Sequence, residues 1–235
     1  MQGWDGYRKA DIARMNVRFD YIVAPFQKQI KAARVLDIAA HDGRWSYALA
    51  SAGAAEVYAV EARAVLIQKY SNFPETDFKH RVTFKHSDLY KELDRLIDQQ
   101  ATFDVVALFG ILYHVTDHYG LLARIKLLQP KVIIIDSEFI TKDNPMIQLA
   151  RERTDNVLNA TGQVPEQHET LIGIPSTGAI ERMASVLNYQ LVWSDWDALP
   201  QENRRGLRDY FRNTPKRRRT CALYPLETAD QSHAK

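Results

Sequence analysis

Three carboxylates closely follow strand-like runs: Asp37 after the apolar Val35-Leu36, Glu61 after the apolar Val57-Tyr58-Ala59-Val60, and Asp88 after the alternating run that ends Phe84-Lys85-His86-Ser87. An acid about 20 residues beyond a tight turn at a strand end can accept both hydroxyl protons of a ribose. Glu61 has that spacing from the turn at 39–43. Asp88 could bond an adenine amino group or cap the helix that follows it. Further along, Phe109-Gly110-Ile111-Leu112-Tyr113-His114 follows a fourth run, which is apolar. Histidine as a side-chain type titrates near neutral pH, so His114 could take a proton from a hydroxyl nucleophile. Asp136, Glu138 and His168 are the other bases on offer. His114, Asp117 and His118 lie close together in the chain, but so short a cluster makes no convincing metal site, and no metal is expected.

These residues must be brought to one edge of one frame. The runs 34–38, 56–60, 81–86, 103–109 and 131–135 read as strands. The runs 45–52, 63–70, 89–97 and 121–128 between them read as helices. Such alternation predicts βαβ units and a parallel sheet with helices on both faces. Right-handed crossovers put the carboxyl ends of the parallel strands on one edge, where ligands bind. The loops near Asp37, Glu61, Asp88, Phe109 and Asp136 should therefore share one crevice. Before the first strand, 11–32 reads as a helix that Pro25 kinks or splits. After the fifth, 140–174 is polar and irregular, broken by Pro145 and Pro165 and closed by Pro175. It is too long for a simple connection, which predicts a lid or a substrate-binding insertion. A helix capped by Ser176 then runs to Leu187, and strands follow at 190–196 and 218–224.

The text Val35-Leu36-Asp37-Ile38-Ala39-Ala40-His41-Asp42-Gly43-Arg44-Trp45-Ser46 ends an apolar strand in a carboxylate, turns tightly and opens a helix. It resembles motif I of class I methyltransferases, usually an acid, one residue, then Gly-x-Gly-x-Gly. Here those glycine positions hold Ala39, His41 and Gly43. The His-Asp-Gly-Arg-Trp-Ser wording is similar to a variant in one group of bacterial methyltransferases. The Gly-Ile-Leu-Tyr-His text is similar to that of the bacterial enzyme that modifies tRNA wobble uridine with carboxy-S-adenosylmethionine. It is also similar to small sugar O-methyltransferases, such as those acting on Nod-factor fucose. The dinucleotide-dehydrogenase fingerprint Gly-x-Gly-x-x-Gly is not present in this turn.

The resemblance covers roughly 33–140, and element order alone extends it further. It implies a Rossmann-like three-layer α/β sandwich. Its seven-stranded, mostly parallel sheet would run 3-2-1-4-5-7-6, with strand 7 antiparallel. The methyltransferase domain would occupy 33–226, after an N-terminal helical segment at 1–32 and before a disordered tail at 227–235. S-adenosylmethionine is the implied cofactor. Asp37, Ala39, His41 and Gly43 would form its turn, Glu61 would hold the ribose, and Asp88 with Leu89 would meet the adenine. The loop from Phe109 would line the methionine portion. His114 is the expected catalytic base, with Tyr113, Glu138 and His168 at the substrate.

Composition sets the outer limits. The chain has 235 residues, 46% hydrophobic and 26% charged, with a net charge of +2. That suits a full-sized core and gives no whole-molecule attraction to nucleic acid. No apolar run is long enough to span a bilayer, and the N-terminus does not read as a signal peptide. Cys221 is the single cysteine, which excludes an intramolecular disulfide and a multi-cysteine zinc site. A cytoplasmic location is the expectation. The stretch 204–219 is strongly basic and could meet RNA phosphates or an anionic substrate. Trp4, Tyr7, Arg8, Arg14 and Arg18 could contact substrate or pack the first helix. The leading expectation is O-methylation of a small hydroxylated molecule such as a sugar. An RNA-modifying transferase using S-adenosylmethionine or its carboxy derivative stays open, as does a non-catalytic cofactor-binding protein. The sequence sets no oligomeric state.

Overall fold

The computed structural model describes residues 8–226. Trp4, Tyr7 and the tail expected at 227–235 lie outside the described residues. Strands β1 (Arg34–Ile38), β2 (Glu56–Glu61), β3 (Val82–His86), β4 (Val105–Phe109) and β5 (Val132–Ile140) are mutually parallel. Strands β6 (Ile147–Arg153) and β7 (Glu169–Pro175) form a separate antiparallel hairpin. Strands β8 (Tyr189–Trp193) and β9 (Lys216–Pro225) complete the main sheet, whose order is β3-β2-β1-β4-β5-β9-β8. Strand β9 is antiparallel to both neighbours. With the hairpin left out of the numbering, this is the expected order 3-2-1-4-5-7-6.

The helices are α1 (Lys9–Ile22), α2 (Gln27–Ile30), α3 (Arg44–Ser51), α4 (Ala64–Ile67), α5 (Leu89–Asp98), α6 (His118–Leu127), α7 (Thr177–Val186) and α8 (Arg208–Phe211). Pro25 sits in the tight turn that separates α1 from α2. Side-chain caps fix the starts of three helices. Asp88 accepts the amides of Tyr90 and Lys91, Asp117 that of Gly120, and Ser176 that of Ala179. Among the described residues, no helix is long and apolar enough to cross a membrane.

Alternate residues of each central strand serve different layers, as the two-residue period of a strand requires. Val35, Val57, Val105, Val132 and Ile134 pack with Met15, Ile22, Trp45 and Leu49 on one face. Leu36, Ile38, Val106, Leu108, Ile133 and Ile135 pack with Leu93, Leu121, Ile125 and Ile180 on the other. A sheet covered on both faces explains why these strands read as continuous apolar runs. The described part of the N-terminal segment belongs to the first of these cores rather than standing apart.

Two expectations need correction. The span 140–174 is not irregular throughout, because β6 and β7 pair along their full length, from Ile147 with Pro175 to Arg153 with Glu169. Strand β6 leaves Ile147 and Leu149 exposed and ends in charged residues, so its text lacks a buried face. Strand β5 continues past Ile135 to Ile140, because β9 pairs with it as far as Lys216. Asp136, which reads as a strand terminator, is neutralised there by arginine.

Candidate functional site

The carboxyl ends of β1, β2 and β4, with the loop after β3, open onto a cavity of about 310 Å³. That lies at the small end of ligand-sized pockets. Its wall includes Asp37, Ala39, His41, Glu61, Asp88, Leu89, Phe109, Tyr113 and His114, all expected at the site. It also includes Trp45, Arg18, Arg63, Arg218 and residues 157–161 of the segment between β6 and β7. The insertion thus supplies one side of the cavity.

The turn after β1 explains how a motif with one glycine in three can work. Ala39, His41 and Gly43 all adopt positive φ, at 59°, 56° and 80°. The backbone keeps the left-handed conformation that glycine would take without strain. Only Gly43 also lacks room. A Cβ there would lie 2.6 Å from both the Phe84 and Tyr70 rings. Ala39 and His41 line the cavity instead. Ala39→Gly should therefore relieve strain and stabilise the fold by about 1 kcal/mol. That would raise the melting temperature by roughly 2–4 °C, readable by calorimetry. A lower melting temperature would mean that the turn carries no strain at Ala39.

Asp37 is buried at the base of this turn, and the Ser46 hydroxyl donates to it at 2.6 Å. Burial pushes its pKa up to about 7, against the Ser46 bond and with a contribution from Glu61. Glu61 is 5% exposed. Its Oε2 accepts the His41 amide at 2.9 Å and its Oε1 the Arg63 amide at 3.0 Å. A carboxylate has about four acceptor positions, so each oxygen keeps one for a ligand hydroxyl. His41 has a buried Nε2 without a protein partner. Asp88 both lines the cavity and caps α5, its Oδ1 accepting the two amides at 2.9 and 3.1 Å.

His114 lies in the loop after β4 and lines the same cavity as these carboxylates. Its Nδ1 is 2.7 Å from Glu152 Oε2, on the hairpin, and the Tyr113 ring lies 4.1 Å from its own. Burial lowers the His114 pKa, and Glu152 opposes that shift. Below the cavity, fully buried Asp136 accepts from Arg18 Nη2, Arg218 Nη1, the Tyr210 hydroxyl and the Thr220 hydroxyl, at 2.6–2.9 Å. Burial raises the Asp136 pKa, but the two arginines outweigh it and hold the group below its ordinary range.

Three expected site residues are not on the wall. Gly43 packs under Tyr70 and Phe84. Glu138 is bound by Arg212 and Lys216, which hold it ionised and below its ordinary pKa. His168 lies at the far end of the hairpin, beside Arg153, Asp155 and Glu169. Asp136 also fails as a base, since four donors fill its acceptor positions. Sequence reasoning missed Glu152 because it lies 38 residues beyond His114, on a strand whose text reads as a loop.

Arg205 and Arg208 of the basic stretch are exposed, but five of its other basic residues are engaged within the chain. Arg204 donates to the carbonyls of Asp197 and Leu199, and Arg212 and Lys216 pair with Glu138. Arg218 pairs with Asp136, and Arg219 lies over the Trp193 ring at 4.2 Å.

A seven-stranded sheet of this order, with a cavity at its carboxyl edge walled by strand-end acids, defines a class I methyltransferase fold. The methyltransferase domain profile matches residues 7–193, and the chain belongs to that family. The N-terminal domain of EvdMO1 with SAH bound has a TM-score of 0.61 at 16% identity, over 94% of this chain and 82% of that one. An S-adenosylmethionine-dependent methyltransferase from Mesorhizobium loti gives 0.59 at 12% identity, over 94% and 100%. Magnesium protoporphyrin IX methyltransferase from Synechocystis PCC 6803 with bound SAM gives 0.56 at 12% identity, over 94% and 86%. At such identities the likeness is one of fold. No curated protein matches the chain in sequence.

Proposed function

We propose that this enzyme, an S-adenosylmethionine-dependent methyltransferase, methylates an oxygen of a small hydroxylated molecule, a sugar being the leading class. The observation that carries this reading is His114, half-buried beside Glu152 and lining the same cavity as Glu61. When bound, S-adenosylmethionine supplies a methyl carbon already activated by its sulfonium. The chain's task is then to place the acceptor and to remove its proton. Glu61 has free acceptor positions and would hold the ribose hydroxyls, Asp88 and Leu89 would meet the adenine, and the loop from Phe109 would line the methionine portion. His114, lowered by burial, is a neutral base at pH 7. Tyr113 and the segment 157–161 would close around the acceptor. The pairing of much of the basic stretch within the chain favours a small molecule over RNA. A structure of EvdMO1 in the presence of SAH and D-fucose adds weight to a sugar.

The test is incubation with methyl-labelled cofactor and cell extract split into small-molecule and RNA fractions. Label in methyl ethers of the small-molecule fraction is expected, and label confined to RNA would overturn the reading. A second measurement addresses the cofactor. Glu61→Gln keeps an acceptor but removes charge from the ribose contact, and Glu61→Ala removes both. A charge-assisted bond contributes about 1.5–3 kcal/mol, so Glu61→Ala should weaken calorimetric affinity by roughly 10- to 100-fold, with Glu61→Gln between it and wild type. Wild-type affinity in a folded Glu61→Ala variant would remove Glu61 from the site.

A further inference from the structure

We propose that Glu152 is a positioning residue for His114, accepting the Nδ1 proton and so leaving Nε2 as the basic nitrogen at the cavity. This inference rests on the function proposed above and extends it to the hairpin. The Nδ1–Oε2 distance is 2.7 Å, and the two side chains are only 10% and 16% exposed. A short bond to a carboxylate in such a place is strong and directional. A histidine ring is fixed in tautomer and orientation by what its other nitrogen meets.

Glu152 is itself held. Its Oε2 also accepts the Ala160 amide at 2.8 Å. The neighbouring Asn159 donates through its side chain to the Arg153 carbonyl and accepts from Arg63 through its own carbonyl. One carboxylate oxygen therefore joins the base, the β6 strand and the segment that walls the cavity. Around the ring, Arg218 and Arg63 disfavour a positive charge, and Glu152 is the group that favours one. Without Glu152 the ring would be free to take the Nε2–H tautomer, which is the commoner one in water and presents no lone pair at Nε2.

Long-range proton–nitrogen correlation spectra of the full chain, labelled with ¹⁵N-histidine, read the tautomer directly. His114 is expected as Nδ1–H in the wild-type chain. In Glu152→Ala, Nε2–H should predominate. Glu152→Gln keeps a carbonyl that can accept both bonds, and it should return the ring toward Nδ1–H. Circular dichroism confirms that each variant is folded. An Nε2–H ring in the wild-type chain would overturn the proposal without any variant, and an unchanged tautomer in Glu152→Ala would do the same. With an acceptor in hand, Glu152→Ala should lower kcat about 10²-fold and leave cofactor affinity unchanged, with partial rescue in Glu152→Gln. A loss confined to KM would assign Glu152 to acceptor binding and sink its role toward the base. The two readings separate cleanly. Absence of methyl transfer by the wild-type chain would remove the proposed function, while the tautomer result would still decide what Glu152 does to His114.

Discussion

Alanine at position 114 should lower the rate of methyl transfer by about 10²–10⁴-fold, the range for removal of a positioned general base. Cofactor affinity should hold at the wild-type level, because Glu61 and Asp88 are held by backbone amides and not by His114. The loss should therefore fall on kcat with little change in calorimetric Kd. The pH profile supplies an independent check. The base works unprotonated, and burial lowers its pKa below the ordinary value of 6.5, with Glu152 opposing the shift. The wild-type rate should be flat around pH 7 and fall as pH drops through that lowered value. In His114→Ala the acid limb should vanish from what activity is left. An intact acid limb in the variant would assign the titration to another group and remove His114 as the base.

What could be read from the chain depended on how local the determinant was. The parallel strands were legible because each is buried on both faces and reads as an apolar run, as in Val105–Phe109. The strand-end acids Asp37 and Glu61 were legible because the turn between strand and helix fixes their spacing. Gly43 was legible as a conformational requirement but not in its location, since the clash that demands glycine comes from Tyr70 and Phe84, distant in sequence. The sequence shows that Ala39 and His41 stand at two glycine positions of the motif, but not what their backbone does. The backbone shows that both residues hold the left-handed turn, and both line the cavity. The hairpin was invisible because β6 exposes Ile147 and Leu149 and pairs only with β7, so it lacks the burial pattern of a sheet strand. Glu152 went with it. The partners of the basic stretch were hidden for a related reason. Three of its charges, Arg212, Lys216 and Arg218, are matched by Glu138 and Asp136, some eighty residues earlier in the chain.

Asp136→Ala should destabilise the fold more than any of the other substitutions. The carboxylate is fully buried and takes four donors, two of them guanidinium groups. Its removal strands Arg18 and Arg218, whose side chains are 10% and 11% exposed. Asp209 remains nearby, but it already serves Arg14 as well as Arg218. Breaking a buried ion pair by deleting one partner costs about 3–5 kcal/mol, against a typical total stability of about 5–15 kcal/mol. Urea unfolding at pH 7 should show that loss directly. The pH dependence follows from the sign of the shift. Asp136 is held below its ordinary pKa in the folded chain, so its contribution is present in full above about pH 4 and is lost as pH falls through the folded value. The wild-type chain should therefore lose more stability than Asp136→Ala on going from pH 7 to pH 3. A double variant, Asp136→Leu with Arg218→Met, should recover part of the loss, since replacing a buried pair by apolar residues removes the stranded charge. If Asp136→Ala unfolded in urea like the wild-type chain, the arginines would have to be neutralised by something other than Asp136. The cavity floor that Arg18 and Arg218 form would then need a different account.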